Sequence, residues 1–310
     1  MSLVVDAFVR EGCSRIDASL KERIANWVEA QRLPDGGFPG RSGGSDPYYT
    51  DFALRLLSCV RPSSVSLSAN VEFGDAPKDV PEGFNRASIA FLCSQPMPSN
   101  IEPVLTSFRL PSGCYSRHSD STEVSAYATF LGALCEDALG LFHEPTPSSF
   151  EAILSLQQSD GGFIDTVSTG SSQSNATAAA VGYLLRGSYP DALDRAVGYL
   201  KKRQFAPLSI DVAGSAGTLP AKSPSPTTPP GGFYAHDQSE FPDLLTTFTA
   251  LATLSLLGSM DGVDLKAHAR FVGSLATPEG GFRSCTPDPE SDIEYAYYGL
   301  GCLALIWLNV

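Results

Sequence analysis

Cationic and titratable side chains recur at comparable offsets in the polar stretches of the chain, at Arg41, Arg117, His118, His236 and Arg283. Acids stand near them, at Asp46, Asp120, Asp243, Asp292 and Glu294. Such groups can hold an anionic head group, work as an acid and base, or pair with one another at the surface. Surface pairing with Asp46 or Asp288 is the plain alternative for Arg41 and Arg283, and a local hydrogen bond is the plain alternative for His118 and His236 beside Asp120 and Asp237. Paired carboxylates in a cleft would mark a carbohydrate-acting α/α barrel enzyme, yet no spacing among these acids singles out an acid/base pair. His143 and His268 fall on presumed outer helices or their connections and are expected to face solvent.

Five copies of one turn position these residues. Asp35-Gly36-Gly37-Phe38, Asp160-Gly161-Gly162-Phe163, Gly231-Gly232-Phe233 and Glu279-Gly280-Gly281-Phe282 share a diglycine and Phe, and Ser112-Gly113-Cys114-Tyr115 is a degenerate copy. The aromatic positions 38, 115, 163, 233 and 282 are 77, 48, 70 and 49 residues apart, so the unit is near 48 residues with two copies lengthened. Before each turn the sequence predicts an amphipathic outer helix. The first runs over Asp17 to Gln31, with Asp17 as cap and Leu20, Ile24, Trp27 and Val28 on one face. Ser148 and Glu151 stand in capping-box spacing before the fourth, and Asp264 precedes the last.

After each turn comes a helix of another kind. Asp243 to Leu257 and Asp292 to Trp307 are apolar around most of their circumference and must be buried nearly all round. Tyr48 to Cys59 and Ser174 to Leu185 follow suit, and Asn85 to Cys93 suggests a sixth unit in the 77-residue gap. Inner and outer helices alternating about an axis bury every inner helix without an open end. The prediction is therefore an all-α fold, an α/α toroid of about five to six hairpins, as a single domain over residues 1–310. A Pro-rich insertion interrupts it at 206–230.

Composition bounds the function. The 310 residues include 34 acids and 21 Lys and Arg, a formal charge of −13, so extended contact with nucleic acid or an anionic membrane is not expected. No apolar run is long enough to cross a bilayer, and the first 16 residues lack the pattern of a secretory signal. The expected location is cytoplasmic. Seven cysteines without a CxxC pair read as reduced, mostly buried thiols.

The segments DGGFPGRSGGSDPYYTDFALRLL (35–57), QQSDGGF (157–163) and EGGFRSCTPDPESDIEYAYYGLGCLALI (279–306) resemble the repeats of protein prenyltransferase β subunits and of squalene and related terpenoid cyclases. That resemblance implies an α/α toroid, an isoprenoid or other apolar ligand and, for the prenyltransferase β subunits, a helical partner subunit and a catalytic zinc. Their zinc is held by a D-x-C and a D-x-Y-H. The nearest positions here are Asp243-Leu244-Leu245, with Leu245 for the Cys, and Asp292-Ile293-Glu294-Tyr295, with Tyr295 for the His. No zinc or other cofactor is therefore expected. The acidic D-x-D-D of the cyclases and the G-C-G-E-Q of thioester toroids are absent from the sequence. The family's G-F-x-G-R arginine, which contacts a diphosphate, corresponds in pattern to Arg41.

If the inner helices run parallel, their N-termini converge at one end of the ring and offer N–H groups and partial positive charge to an anionic head group. The candidate ligand-binding residues are Arg41, Tyr49, Arg117, His118, His236, Asp243, Arg283, Asp292 and Tyr295. Aromatics near the starts of inner helices, among them Tyr48, Phe52, Tyr127, Phe130, Phe248, Tyr297 and Tyr298, either line a cavity or fill the hole. The competing functions are a prenyltransferase-like protein handling an isoprenoid, with altered chemistry or binding alone, and a non-catalytic toroidal module for protein interaction. The carbohydrate-acting barrel is a third.

Overall fold

The computed structural model describes residues 2–40, 43–61, 74–141, 143–205 and 231–310. The Pro-rich insertion and Arg41 lie outside the described residues. The helices in chain order are α1 (Ser2–Cys13), α2 (Ala18–Glu29), α3 (Pro47–Val60), α4 (Val80–Leu92), α5 (Ile101–Phe108) and α6 (Ala126–Leu139). They continue as α7 (Pro147–Leu154), α8 (Ser174–Leu184), α9 (Pro190–Lys202), α10 (Leu244–Leu256), α11 (Leu265–Leu275) and α12 (Ile293–Leu308). Two short strands, β1 (Phe282–Arg283) and β2 (Ser291–Asp292), pair antiparallel before α12.

Six of these helices form a closed inner ring. Helix α3 packs on α4, α4 on α6, α6 on α8, α8 on α10, α10 on α12, and α12 returns to α3. The expected α/α toroid is thus the observed fold, and α4 is the inner helix of the long gap. The outer helices α2, α5, α7, α9 and α11 lean on the ring through one stripe each. In α9 only Ala192, Ala196, Tyr199 and Leu200 are buried, whereas nearly all of α8 is. That contrast is what the two kinds of apolar pattern dictate.

The ring is stitched at the starts of its inner helices. The N–H of Ala126 donates to the Asp165 carbonyl (2.9 Å), that of Ser174 to Ala235 (2.8 Å) and that of Leu244 to Ser284 (2.8 Å). Each first residue is thus tied to the loop that leads into the next inner helix, which makes those helices parallel. Inside each hairpin a second device recurs. The backbone N–H of the turn's aromatic donates to a threonine of the following inner helix: Phe38 to Thr50 Oγ1, Tyr115 to Thr129, Phe163 to Thr177 and Phe233 to Thr247, all at 2.9–3.0 Å. These aromatics are buried to 2% exposure or less, so an unpaired N–H there would be costly.

Helix α1 runs parallel to α12, residues 291 or 292 apart meeting: the Tyr297 hydroxyl donates to Asp6 (2.6 Å) and the Arg15 guanidinium to the Trp307 carbonyl (2.7 Å). Local signals mostly act as the sequence indicates. Asp17 and Asp264 cap α2 and α11. For α7 the cap is Thr146 rather than Ser148, with Thr146 and Ser149 exchanging side-chain to backbone bonds, because Pro147 fixes the first helical position one residue earlier.

Candidate functional site

A cavity of about 360 Å³ occupies the hub of the ring. Its wall takes residues from all six inner helices and from α1, and eight of them are aromatic: Tyr48, Phe52, Phe84, Tyr127, Phe130, Phe248, Tyr297 and Tyr298. The side chains therefore line the hub instead of filling it. Helix α8 makes this possible, since Ala176, Ala178 and Ala179 face the cavity where larger residues would close it. Across from them Phe52, Phe248, Tyr297 and Tyr298 stack edge-on or tilted, with centroids 5.2–5.4 Å apart between helices.

One end of the cavity is the end where the inner helices begin. Arg117, Asp165 and Gln173 line it there, and the Arg117 guanidinium is paired with Asp165 (3.2 Å). The helix starts do not present free positive ends, contrary to expectation. Asp46 accepts from the Tyr48 N–H (2.8 Å), Asp79 from Glu82 (2.8 Å), Asp165 from Tyr127 (2.9 Å), Asp243 from Thr246 (2.7 Å) and Asp292 from Tyr295 (3.0 Å). Five of the six helix N-termini thus carry a carboxylate of the chain itself, in the place an anionic ligand would take.

The remaining candidates lie around this end, off the cavity wall. Tyr49 stands edge-on to Tyr48 at 5.6 Å and Tyr295 stands against Tyr298 at 6.1 Å. Arg283 donates to the Ser274 carbonyl (2.8 Å). His118 is exposed in a turn whose backbone carbonyl takes the Ser116 hydroxyl (2.8 Å). His236 accepts the Gln238 N–H at Nδ1 (3.2 Å), while its neighbour Asp237 pairs with Arg203. Asp243 and Asp292 serve as helix caps. Among the described residues no three His, Cys, Asp or Glu side chains are grouped to hold a metal ion.

Deeper in the hub lies a polar cluster that sequence inspection passed over. Arg55 on α3 donates to Asp6 (Nη2 to Oδ1, 2.7 Å) and to the Tyr297 hydroxyl (2.8 Å). Asp51, one turn earlier and 1% exposed, accepts the Ser88 hydroxyl of α4 at Oδ1. Burial pushes its carboxyl up to about 7, against the opposing pull of Arg55 and Ser88. Near the helix starts Tyr48 donates its hydroxyl to Glu294 (2.6 Å), linking α3 to α12. Burial, followed by neighbouring Tyr298 and Glu294, holds the Tyr48 phenol protonated well above its ordinary range. The signal for Asp51 and Arg55 was present, as charges inside an otherwise apolar run. Their partners come from α1 and α4, which no local pattern connects.

His268 is the clear correction among the histidines. It is 1% exposed rather than solvent-facing, stacked on Phe233 at 4.7 Å, taking the Gly232 N–H at Nδ1 (2.9 Å) and meeting Gln204 Oε1 at 3.2 Å. Burial lowers its pKa to about 4. It positions the glycine turn and stands outside the cavity. Five of the seven free cysteines are buried, and Cys93 and Cys285 are half-buried.

The prenyltransferase α/α toroid domain matches residues 8–217 and 221–310, and the chain belongs to that family. Among solved structures it is similar to a variant of the type II terpene cyclase MstE from Scytonema in complex with geranylgeranyl dihydroxybenzoate, at 12% identity and TM-score 0.59, over 97% of this chain and 98% of that one. It is also similar to the Candida albicans protein geranylgeranyltransferase-I complexed with GGPP, at 16% identity and TM-score 0.51, over 98% and 83%. A protein from Actinoplanes is similar at 14% identity and TM-score 0.53, over 94% and 99%. At these identities the likeness is one of fold. Comparison with curated proteins gives no match.

Proposed function

We propose that the hub binds an isoprenoid or similarly apolar chain, and that this ligand carries no diphosphate. The observation that supports the reading is the aromatic cavity itself. About 360 Å³ falls within the span of about 300–1,000 Å³ usual for small-molecule pockets, and burying apolar chain there is favourable by roughly 25 cal/mol per Å². Two similar folds were solved with geranylgeranyl ligands, which agrees with a chain of that class. A ligand without a diphosphate is favoured because five of the six inner-helix starts already carry a carboxylate of the chain and Arg117 is paired with Asp165, leaving the start of α8 as the one without a side-chain cap.

The residues present do not fit the family's zinc either. Leu245 offers no ligand atom, Asp243 is bound to Thr246 and Asp292 to Tyr295. The chain is therefore prenyltransferase-like without the zinc-dependent cysteine prenylation that a resemblance to protein prenyltransferases implies. Among the described residues the large exposed apolar side chains Phe91, Val167 and Leu185 stand singly, and only Trp307 and Val310 fall together, at the end of α12, which does little to favour the interaction-module alternative. The test is native mass spectrometry of the protein incubated with farnesol or with farnesyl diphosphate. One farnesol per chain, retained at least as well as the diphosphate, is expected. Retention of the diphosphate alone would overturn the reading.

A further inference from the structure

The charges of the hub do not cancel. Arg55, Asp6 and the Tyr297 hydroxyl form a closed triangle, with contacts of 2.7, 2.8 and 2.6 Å, in which the one cation is matched by one carboxylate. Arg117 and Asp165 match each other at the helix-start end. Asp51 is left over. Its Oδ1 takes the neutral Ser88 hydroxyl, whereas its Oδ2, fully buried, has no hydrogen-bond partner and stands 3.9 Å from the nearest Arg55 nitrogen. Oδ2 thus lacks a donor, and the one cation near it, Arg55, is already matched by Asp6. Asp51 is one of the residues that line the cavity.

What would satisfy it can be narrowed by chemistry. A hydroxyl supplies a donor but leaves the charge uncompensated. A divalent cation needs several oxygen or nitrogen ligands, and Asp51 is not part of any such group. A monovalent organic cation supplies a donor and a charge together. The same cavity wall carries the ring cluster of Phe52, Phe248, Tyr297 and Tyr298, whose faces attract a cation in an apolar site. Arg55 already lies over Tyr297 at 4.7 Å, an instance of that attraction in place.

We propose that Asp51 is the counter-ion for a single positive charge on an apolar ligand, so that the hub prefers a hydrophobic amine to the alcohol of the same chain. This rests on the reading of the hub as a site for an apolar chain and specifies the polar group that such a chain bears. The charged groups acting on Asp51 are Arg55 on its own helix and Asp6 on α1, both of them bonded to the Tyr297 hydroxyl of α12, while α4 contributes the neutral Ser88.

Isothermal titration of the full chain with farnesylamine and with farnesol tests it. At pH 8 the amine should bind at least about tenfold more tightly than the alcohol, a difference of about 1.4 kcal/mol. In Asp51→Asn the two should bind alike, and the wild type at pH 5.5, with Asp51 protonated, should behave as that variant does. The pH arm needs no substitution and so does not depend on how the variant folds. Equal binding of both probes by the wild type at pH 8, or an amine preference that survives in Asp51→Asn, would overturn the counter-ion role while leaving the apolar site standing. Failure of both probes to bind would overturn the two readings together.

Discussion

Gly280, in the last of the glycine turns, lies against Arg23 of the first outer helix: a Cβ on the glycine would stand 2.7 Å from the Arg23 carbonyl oxygen. The end of the chain thereby closes on its beginning, and the φ of +118° at Gly280 is one that side-chain-bearing residues rarely adopt.

Gly280→Ala should therefore cost at least about 2 kcal/mol, combining backbone strain with a clash against main-chain atoms that cannot swing away. Gly170 also has positive φ, +78°, but nothing lies within 4 Å of its missing Cβ, and Gly170→Ala should cost only about 1 kcal/mol. Urea unfolding of the two variants compares them. Equal losses would mean that closure at Gly280 does not limit stability.

The threonine that receives the aromatic's N–H should matter beyond its size. Thr247→Val keeps the volume and removes the acceptor for the buried Phe233 N–H, which should lower stability by about 1–3 kcal/mol in the same assay. A neutral substitution would show that another acceptor takes over.

His268 is kept neutral by burial, its pKa lowered from 6.5 to about 4. A base with a depressed folded pKa contributes stability above pH 6.5, and that contribution fades as pH falls towards 4, because the unfolded chain binds the proton first. His268→Ala should be less stable than wild type at pH 7, and the gap in melting temperature should narrow with acidification. A gap that widened would contradict the assigned state.

For Asp51 the sign is opposite. Its carboxyl is raised from 3.8 to about 7, so its burial is harmless below pH 4 and costs stability as pH rises through the window up to 7. Asp51→Asn should match wild type near pH 4 and be the more stable by on the order of a few kcal/mol above pH 7. Thermal melts across that range measure it, and a variant less stable than wild type at pH 8 would refute the account of this group.

The ring was legible from sequence because its requirements are local and repeated. A diglycine and aromatic are needed wherever a turn meets a neighbouring helix, and an inner helix has to be apolar on all sides. Thr129, Thr177 and Thr247 stand 14 residues after their aromatics and Thr50 stands 12 after Phe38, a regularity visible only once the bond is known. His268 was misread although it shares a helical face with Leu265, Val272 and Leu275, which already marked it as buried. The Asp51 cluster depends on Asp6, 49 residues from Arg55 along the chain, and on Ser88, 37 residues from Asp51. The expectation of free helix starts is not met at five of the six inner helices, because it took no account of the aspartates that cap or bond them, Asp243 and Asp292 among them.

Ala179 faces the hub from α8, where a large side chain would occupy the space assigned to the ligand. Calorimetric titration of farnesol into wild type and Ala179→Trp, both checked for a cooperative melt, tests the central claim most directly. One molecule bound per wild-type chain, with binding abolished in the variant, is the predicted result. Undiminished binding by Ala179→Trp would place the ligand elsewhere and contradict it.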